Sequence, residues 1–315
     1  MQENETWRRI DPSKMLTFSM CPRKYFYRYV LGWESCDPNL DKVFGEAWHR
    51  AKQYMFINGI SKENIEGAMD RFLLVYRKYY PEHTDLDNHP KSPGNALTAI
   101  LEYVDQYAKW WDLEVVEING KPATEIYGNV LIDIDRMLHF RIDAICRNKH
   151  GIWFVDHKTS GSDRPIYQDA WRLSNQMYTY LHAIHCLFGY RNVCGGKVDL
   201  SIFRRSGNKH VRVLIAKDVL AMEGWLFMAN FWYDLIMRET DAVLRQDCQD
   251  NPVMTAFPRN ECGCTAYNRL CKYFDFCEAW QNPIQQTIPD GFVVDWWDPA
   301  NVPDEAQSVG QIKQI

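Results

Sequence analysis

The sequence predicts a mixed α/β (α+β) chain in which a helical N-terminal region precedes a sheet-bearing core. Three observations carry that reading. Up to about residue 112, apolar residues recur at helical spacing between capping residues. From Leu113 onward, short segments alternate apolar and polar residues between Gly, Pro and Asn. Residues 251–280 lose both periods and gather cysteine and aromatic side chains. The expected divisions are therefore 1–112, 113–250 and 251–280, with an extended tail over 281–315 that lies on the domain or is partly disordered. Hydrophobic residues make up 46% of the 315, enough for a large core.

Taken in order, Ser13 is the expected cap of a helix through KMLTFSMCPRKYFYRYV. Pro22 should split that helix in two near Cys21. Arg23, Lys24 and Arg28 interleave there with Tyr25, Phe26, Tyr27 and Tyr29, a mixture that suits base stacking or an amphipathic surface helix equally well. Helices are expected over Phe44–Ile57, from Ser61 through ENIEGAMDRFLLVYRKYY, and from Ser92-Pro93 through ALTAILEYVDQYAKWW. The segments LEVVEI, ATEIYGNV, MLHFRIDAICR and GIWFVDHK read as a mainly antiparallel sheet. A helix follows from about Tyr167 to Phe188, then strands KVDLSIFRRS and HVRVLIA, then a helix from Asp218 to about Cys248.

The stretch with chemistry in it is LHFRIDAICRNKHGIWFVDHKTS. His139, Arg141 and Asp143 alternate with Phe140, Ile142 and Ala144, and Asn148–Gly151 supply a turn. In the second strand Asp156 and Lys158 share a face and His157 points away. A hairpin brings Asp143 beside that pair, and two carboxylates with a lysine suit metal-dependent hydrolysis. Strand ends also carry such residues merely because they meet solvent. Hard divalent ions such as Mg²⁺ or Mn²⁺ prefer the oxygens that Asp143 and Asp156 offer.

A formal net charge of −5 gives no global basic footprint, so a nucleic acid would need local patches or metal ions. One such patch is expected from Arg204, Arg205, Lys209 and Arg212, with a solvated hairpin as the plain alternative. No apolar run approaches the ~20 residues of a membrane span. The start, MQENETWRRIDPSK, has no apolar signal segment, so a cytoplasmic location is expected. No GxxxxGK[ST] loop is present, which excludes a built-in ATP motor of that type.

Ten cysteines in a cytoplasmic chain point to metal binding or buried thiols before disulfides. Cys262, Cys264, Cys271 and Cys277 crowd one irregular segment. Zinc could take these four, although their spacing is unlike paired CxxC ribbons. An iron–sulfur cluster could take three of them and a distant partner, for which Cys21 is the obvious choice. Cys36, Cys146, Cys186, Cys194 and Cys248 are expected as small buried hydrophobes.

At this point the motifs resemble, in order, those of the RecB-like nucleases of the PD-(D/E)XK superfamily, and within it the iron–sulfur branch that includes AddB-type nucleases, CRISPR adaptation nucleases and phage exonucleases. The likeness runs from about Ser13 to Cys277. CPRKYFYRYVLGWE matches the N-terminal cluster cysteine and its helix. FGEAWHRA matches G-x-x-x-H through Gly45 and His49, and FRIDAI matches the G-R-I-D strand, with Phe140 in place of glycine. VDHKTS matches V-D-x-K-T, and NQMYTYLHA matches Q-x-x-x-Y through Gln176 and Tyr180. Cys264, Cys271 and Cys277 match the C-terminal cluster cysteines, with six residues between the first two where two is commonest.

The resemblance implies a restriction-endonuclease-like core, a central mixed sheet flanked by helices. It implies Mg²⁺ or Mn²⁺ held by His49, Asp143, Asp156 and the His157 backbone carbonyl. Lys158 would position or help deprotonate water, Gln176 would orient it, and Tyr180 would contact the DNA backbone. An acidic residue on the preceding strand is also expected; Glu125 is the choice, with Glu114 and Glu117 competing. Cys21, Cys264, Cys271 and Cys277 would hold a structural 4Fe–4S cluster that ties the two ends of the domain together. The function so implied is a DNA exonuclease acting on single strands or duplex ends, in bacterial or phage recombination or repair, with a possible helicase or recombination partner protein. The competing reading is an inactive DNA-end-binding or recruitment subunit, and a third is an electron-transfer protein.

Overall fold

Proline and side-chain caps decide where the first helices begin. A computed structural model describes residues 1–266, 269–302 and 306–313 of the chain. Helix α1 spans Pro12–Met20, with the Asp11 side chain accepting from the Lys14 N–H and Pro12 in the first turn. Asp11 rather than Ser13 is therefore the cap, because a proline at the first helical position has no N–H to leave unsatisfied. Pro22 opens α2 (Pro22–Tyr25), which runs on into a π-helical turn over Phe26–Val30, so the two helices meet at Cys21 as expected.

Strand β1 (Trp33–Ser35) leads to α3 (Leu40–Asn58), α4 (Ile65–Tyr76) and α5 (Pro93–Tyr107). Asn39 caps α3, and Gly59 at φ +105° ends it. Phe44, Ala47, Trp48, Ala51 and Met55 form one fully buried stripe on α3. Burying Phe44 or Met55 alone contributes roughly 1.5–3 kcal/mol. Short strands β2 (Glu114–Val115), β3 (Glu117–Ile118) and β4 (Lys121–Pro122) precede the long ones, β5 (Thr124–Leu131), β6 (Met137–Asn148) and β7 (Gly151–Ser160).

Beyond β7 the expected single helix is broken. Helix α6 (Pro165–Asp169) and a 3-10 turn (Ala170–Leu173) end at Ser174, whose extended ψ of 128° separates them from α7 (Asn175–Phe188). Strands β8 (Val193–Ile202) and β9 (Lys209–Ile215) follow, then α8 (Val219–Leu244). Extended backbone at Arg245 divides α8 from α9 (Gln246–Asp250), so the long helix stops short of Cys248. The remaining elements are α10 (Phe274–Ala279), β10 (Phe292–Val294) and β11 (Gln307–Ile312).

The central sheet runs β11-β5-β6-β7-β8-β9, with β2 pairing beside β6. β6/β7 and β8/β9 are antiparallel, whereas β7 and β8 are parallel, joined through α7. The sheet is thus mixed, as the resemblance implies, and the pairings of β2 with β6 and of β6 with β7 are antiparallel as the sequence predicts.

The chain forms two compact units. One comprises Met1–Asp37, Asn129–Phe140 and Val219–Pro303; the other comprises Pro38–Gly128, Arg141–Asp218 and Asp304–Ile315. In the first, Tyr27 stacks between Trp33 and Tyr273 at centroid distances of 5.6 and 5.1 Å. Tyr25, Phe26 and Tyr27 are wholly buried, Arg23 donates to the Phe257 carbonyl at 2.9 Å, and Arg28 pairs with Glu34 at 2.7 Å. The basic-aromatic helix is therefore core and not a stacking surface. β10 pairs with β1, and the Trp296 and Trp297 indoles donate to the Val30 carbonyl and to Asp11. That part of the tail is a built element.

In the second unit α3, α4 and α5 form a core with Val155, Ala144 and Phe203 on one sheet face. α7 packs on β7 and β8, and its Tyr180 meets Phe154 edge-on at 5.7 Å, on the other face. Gly45 of α3 faces β7: a Cβ there would lie 3.4 Å from the Thr159 hydroxyl.

Candidate active site

The hairpin forms where the sequence puts it. Asn148 pairs with Gly151 across a two-residue turn, and the register continues to Ala144 opposite Val155. Gly151 takes φ +143°, and a Cβ there would come within 2.6 Å of the Asn192 carbonyl, so only glycine fits. Asp143 and Asp156 flank the Ala144–Val155 pair on the α7 side of the sheet, and both are buried.

Lys158 lies two residues on from Asp156. Its Nζ donates to Asp156 Oδ1 at 3.0 Å and lies 2.8 Å from Oδ2, at an angle that leaves Oδ2 without a hydrogen bond. Asp143 Oδ2 accepts the His157 backbone N–H at 2.7 Å and lies 3.5 Å from His49 Nδ1. Gln176, in the first turn of α7, donates its amide to the Tyr180 hydroxyl at 2.7 Å. Tyr180 is buried, so it supports Gln176 and presents no surface for DNA. Glu125 is buried on β5 at φ +50° and pairs with Arg141 at 3.4 Å, while Glu114 and Glu117 are exposed.

Burial and charge push the two carboxylates apart. For Asp143, burial favours the neutral acid, but His49, His157 and Lys158 outweigh it and hold the group below its usual range. For Asp156, burial dominates, and the Asp143 charge adds to it against Lys158, raising the pKa to about 7. Burial lowers His49 to about 4 despite Asp143. The imidazole is thus neutral near pH 7, the form in which histidine ligates metals.

A model of the PD-(D/E)XK nuclease superfamily matches residues 9–278. The chain belongs to the PD-(D/E)XK nuclease superfamily. The mixed sheet flanked by helices is consistent with the restriction-endonuclease-like fold of that superfamily. Its members are metal-dependent nucleases, which places nucleic acid as the class of substrate. No curated protein matches the chain. Among solved structures, one described as "Crystal structure of SSO0001" is similar at 15% identity and a TM-score of 0.32, covering 75% of this chain and 79% of its own.

The donor set of a superfamily metal site is present here in chemical kind: an ionised carboxylate, a second whose Oδ2 is buried without a hydrogen bond, and a neutral imidazole. Among the described residues no three His, Cys, Asp or Glu side chains already converge as a single-ion cage. The Lys158 ammonium instead meets the Asp156 charge.

Sequence reasoning missed what lies behind the hairpin. His157 turns to the opposite face, where its Nδ1 is 3.1 Å from Asp199 Oδ2. Lys52 of α3 forms an ion pair with the same oxygen at 2.9 Å, Tyr103 donates to both Asp199 oxygens, and Arg212 stands 3.6 Å away. Asp199 is wholly buried and is held ionised well below its usual range by Lys52, His157 and Arg212, despite desolvation. Arg212 is also enclosed by the Tyr107 and Trp111 rings, and Arg204 pairs with Asp163. The expected patch of Arg204, Arg205, Lys209 and Arg212 is therefore not one free basic cluster. A charge inside the apolar strand KVDLSI was the available signal.

In the first unit, Cys21, Cys264, Cys271 and Cys277 line one cavity of about 220 Å³, together with Lys24 and Arg259. Cys262 is exposed and is not among the lining residues. Gly263 is needed beside it: a Cβ there would sit 2.7 Å from the Cys21 Cβ. Burial raises the Cys264 and Cys277 thiols, and neighbouring cysteines raise them further. Four free thiols on one cavity fit a cluster-sized group whose iron would neutralise the crowded thiolates. Of the scattered cysteines, Cys146, Cys186 and Cys248 are buried as expected; Cys36 is exposed and Cys194 only half-buried.

Proposed function

We propose that this protein is a DNA exonuclease acting on single strands or duplex ends, with a structural 4Fe–4S cluster. The observation that carries the reading is the meeting of Asp143, Asp156, Lys158 and His49 at the end of the β6–β7 hairpin of a PD-(D/E)XK chain. Asp143, Asp156, His49 and the His157 carbonyl would hold Mg²⁺ or Mn²⁺. A divalent ion supplies Lewis acidity toward the phosphoryl group and eases deprotonation of water.

The chain's own residues do the rest. Lys158 sits on the strand face of Asp156, so once that carboxylate is occupied its ammonium is released toward water and the developing phosphoryl charge. Gln176, held by Tyr180, has a fixed amide with which to orient water or a phosphate oxygen. Asp143 anchors the His157 N–H and so fixes the strand on which Asp156 and Lys158 stand. Cys21, Cys264, Cys271 and Cys277 would hold the cluster, and its role is to join segments some 240 residues apart, which disfavours the unfolded chain.

Digestion of end-labelled single-stranded and duplex DNA with Mg²⁺ or Mn²⁺ tests the reading. Cleavage that disappears in Lys158→Ala supports it. Tight DNA binding without cleavage under either ion would favour the inactive end-binding alternative.

A further inference from the structure

The segment between β7 and α7 joins Lys158 to Gln176 and therefore borders the candidate site on both sides. Its composition is unusual for an exposed connection. Ile166 is 71% exposed, Tyr167 42% and Leu173 75%, all within eight consecutive residues. Trp171, half-buried between them, lies with its ring 5.4 Å from Lys158 Nζ. Arg164 and Arg172 are exposed in the same stretch.

The segment is held in place. Arg204 of the β8–β9 connection donates to Asp163 at 2.5 Å, Gln168 donates to the Asp163 carbonyl, and the 3-10 turn packs on α7 and β9. Exposed apolar and aromatic side chains gathered on one fixed segment mark an interaction surface. We infer that the 165–173 ledge is a platform for unstacked bases of a DNA single strand, with Trp171 and Tyr167 as stacking faces beside the lysine that meets the phosphate.

Two features favour bases over a protein surface. The ledge is continuous with Lys158, so a strand whose phosphate reaches that ammonium presents its neighbouring bases here. Arg164 adds one exposed positive charge for a phosphate, Arg172 being paired with Asp169 at 3.7 Å, and aromatic faces stack any base. This inference rests on the nuclease reading and deepens it: single-stranded ends become the preferred substrate.

The test uses the full chain without divalent ions and measures binding of a labelled single-stranded oligonucleotide and of the same oligonucleotide made abasic. Trp171→Ala and Tyr167→Ala should each weaken binding of the normal strand by roughly tenfold. Neither should change binding of the abasic strand, and Trp171→Phe should retain most of the affinity. Equal losses on both strands, or no loss in either variant, would overturn the platform. Cleavage by the unaltered protein reports separately on the nuclease reading, so the two can fail independently. A chain that binds neither strand overturns the platform as well.

Discussion

Replacing Asp156 by Asn should make the metal-free protein more stable above neutral pH while abolishing activity. The Asp156 pKa is raised from 3.8 to about 7 because the group is buried and faces Asp143. Between those values the folded chain keeps a proton that the unfolded chain has lost. Stability therefore falls as pH rises through this window and levels off above about 7. From pH 5 to pH 8 the window spans roughly 2 units, so this carboxyl alone removes roughly 2–3 kcal/mol. Asp143 is depressed, and its contribution is lost only at lower pH, outside the range. Asp156→Asn has no such proton, so parent and variant should be close at pH 5 and diverge, variant above parent, by pH 8. Urea unfolding at several pH values after removal of divalent ions measures the gap directly. Added Mn²⁺ at pH 8 should restore the parent and leave the variant unchanged. A gap that does not move with pH, or a variant less stable than the parent at pH 8, would show that Asp156 does not hold a proton in the folded chain.

Three further outcomes follow from particular contacts. His49→Ala should cost more activity in Mn²⁺ than in Mg²⁺, because imidazole favours the former; an unchanged ratio would remove His49 from the ligand set. Cys21→Ser should lower iron content sharply while Cys262→Ser leaves it intact, as read by iron analysis and visible absorbance of anaerobically purified protein. Asp199→Ala leaves Lys52 and Arg212 without their shared carboxylate and should destabilise the fold by roughly 3–5 kcal/mol, seen as a lowered Tm.

The hairpin was legible because period-two alternation and a short turn are local signals, and they place Asp143, Asp156 and Lys158 on one face without knowledge of the rest. Pairing direction is not local. The run KVDLSI reads as a strand, yet nothing in it says that it lies parallel to β7 and sets Asp199 beside His157. The Lys52–Asp199–Tyr103–Arg212 network draws on α3, β8, α5 and β9, so no spacing could reveal it. Arg212 read as a phosphate contact for that reason, and the aromatic face of the Cys21 helix read as suited to base stacking, because its burial depends on Phe257 and Tyr273 far along the chain. The cysteines were legible as a group from their crowding, whereas the cavity that Cys21 shares with Cys264, Cys271 and Cys277, and Cys262 does not line, depends on the fold.

Under the proposed function, hydrolysis at the β6–β7 hairpin depends on a divalent ion and a DNA end. Linear, end-blocked and circular DNA, incubated with the purified chain and Mn²⁺, test it most directly. Loss of nucleotides from the open linear substrate alone, absent in chelator and in Asp156→Ala, is the predicted result. Cleavage that survives in Asp156→Ala, or no cleavage of any substrate under Mg²⁺ or Mn²⁺, would contradict it.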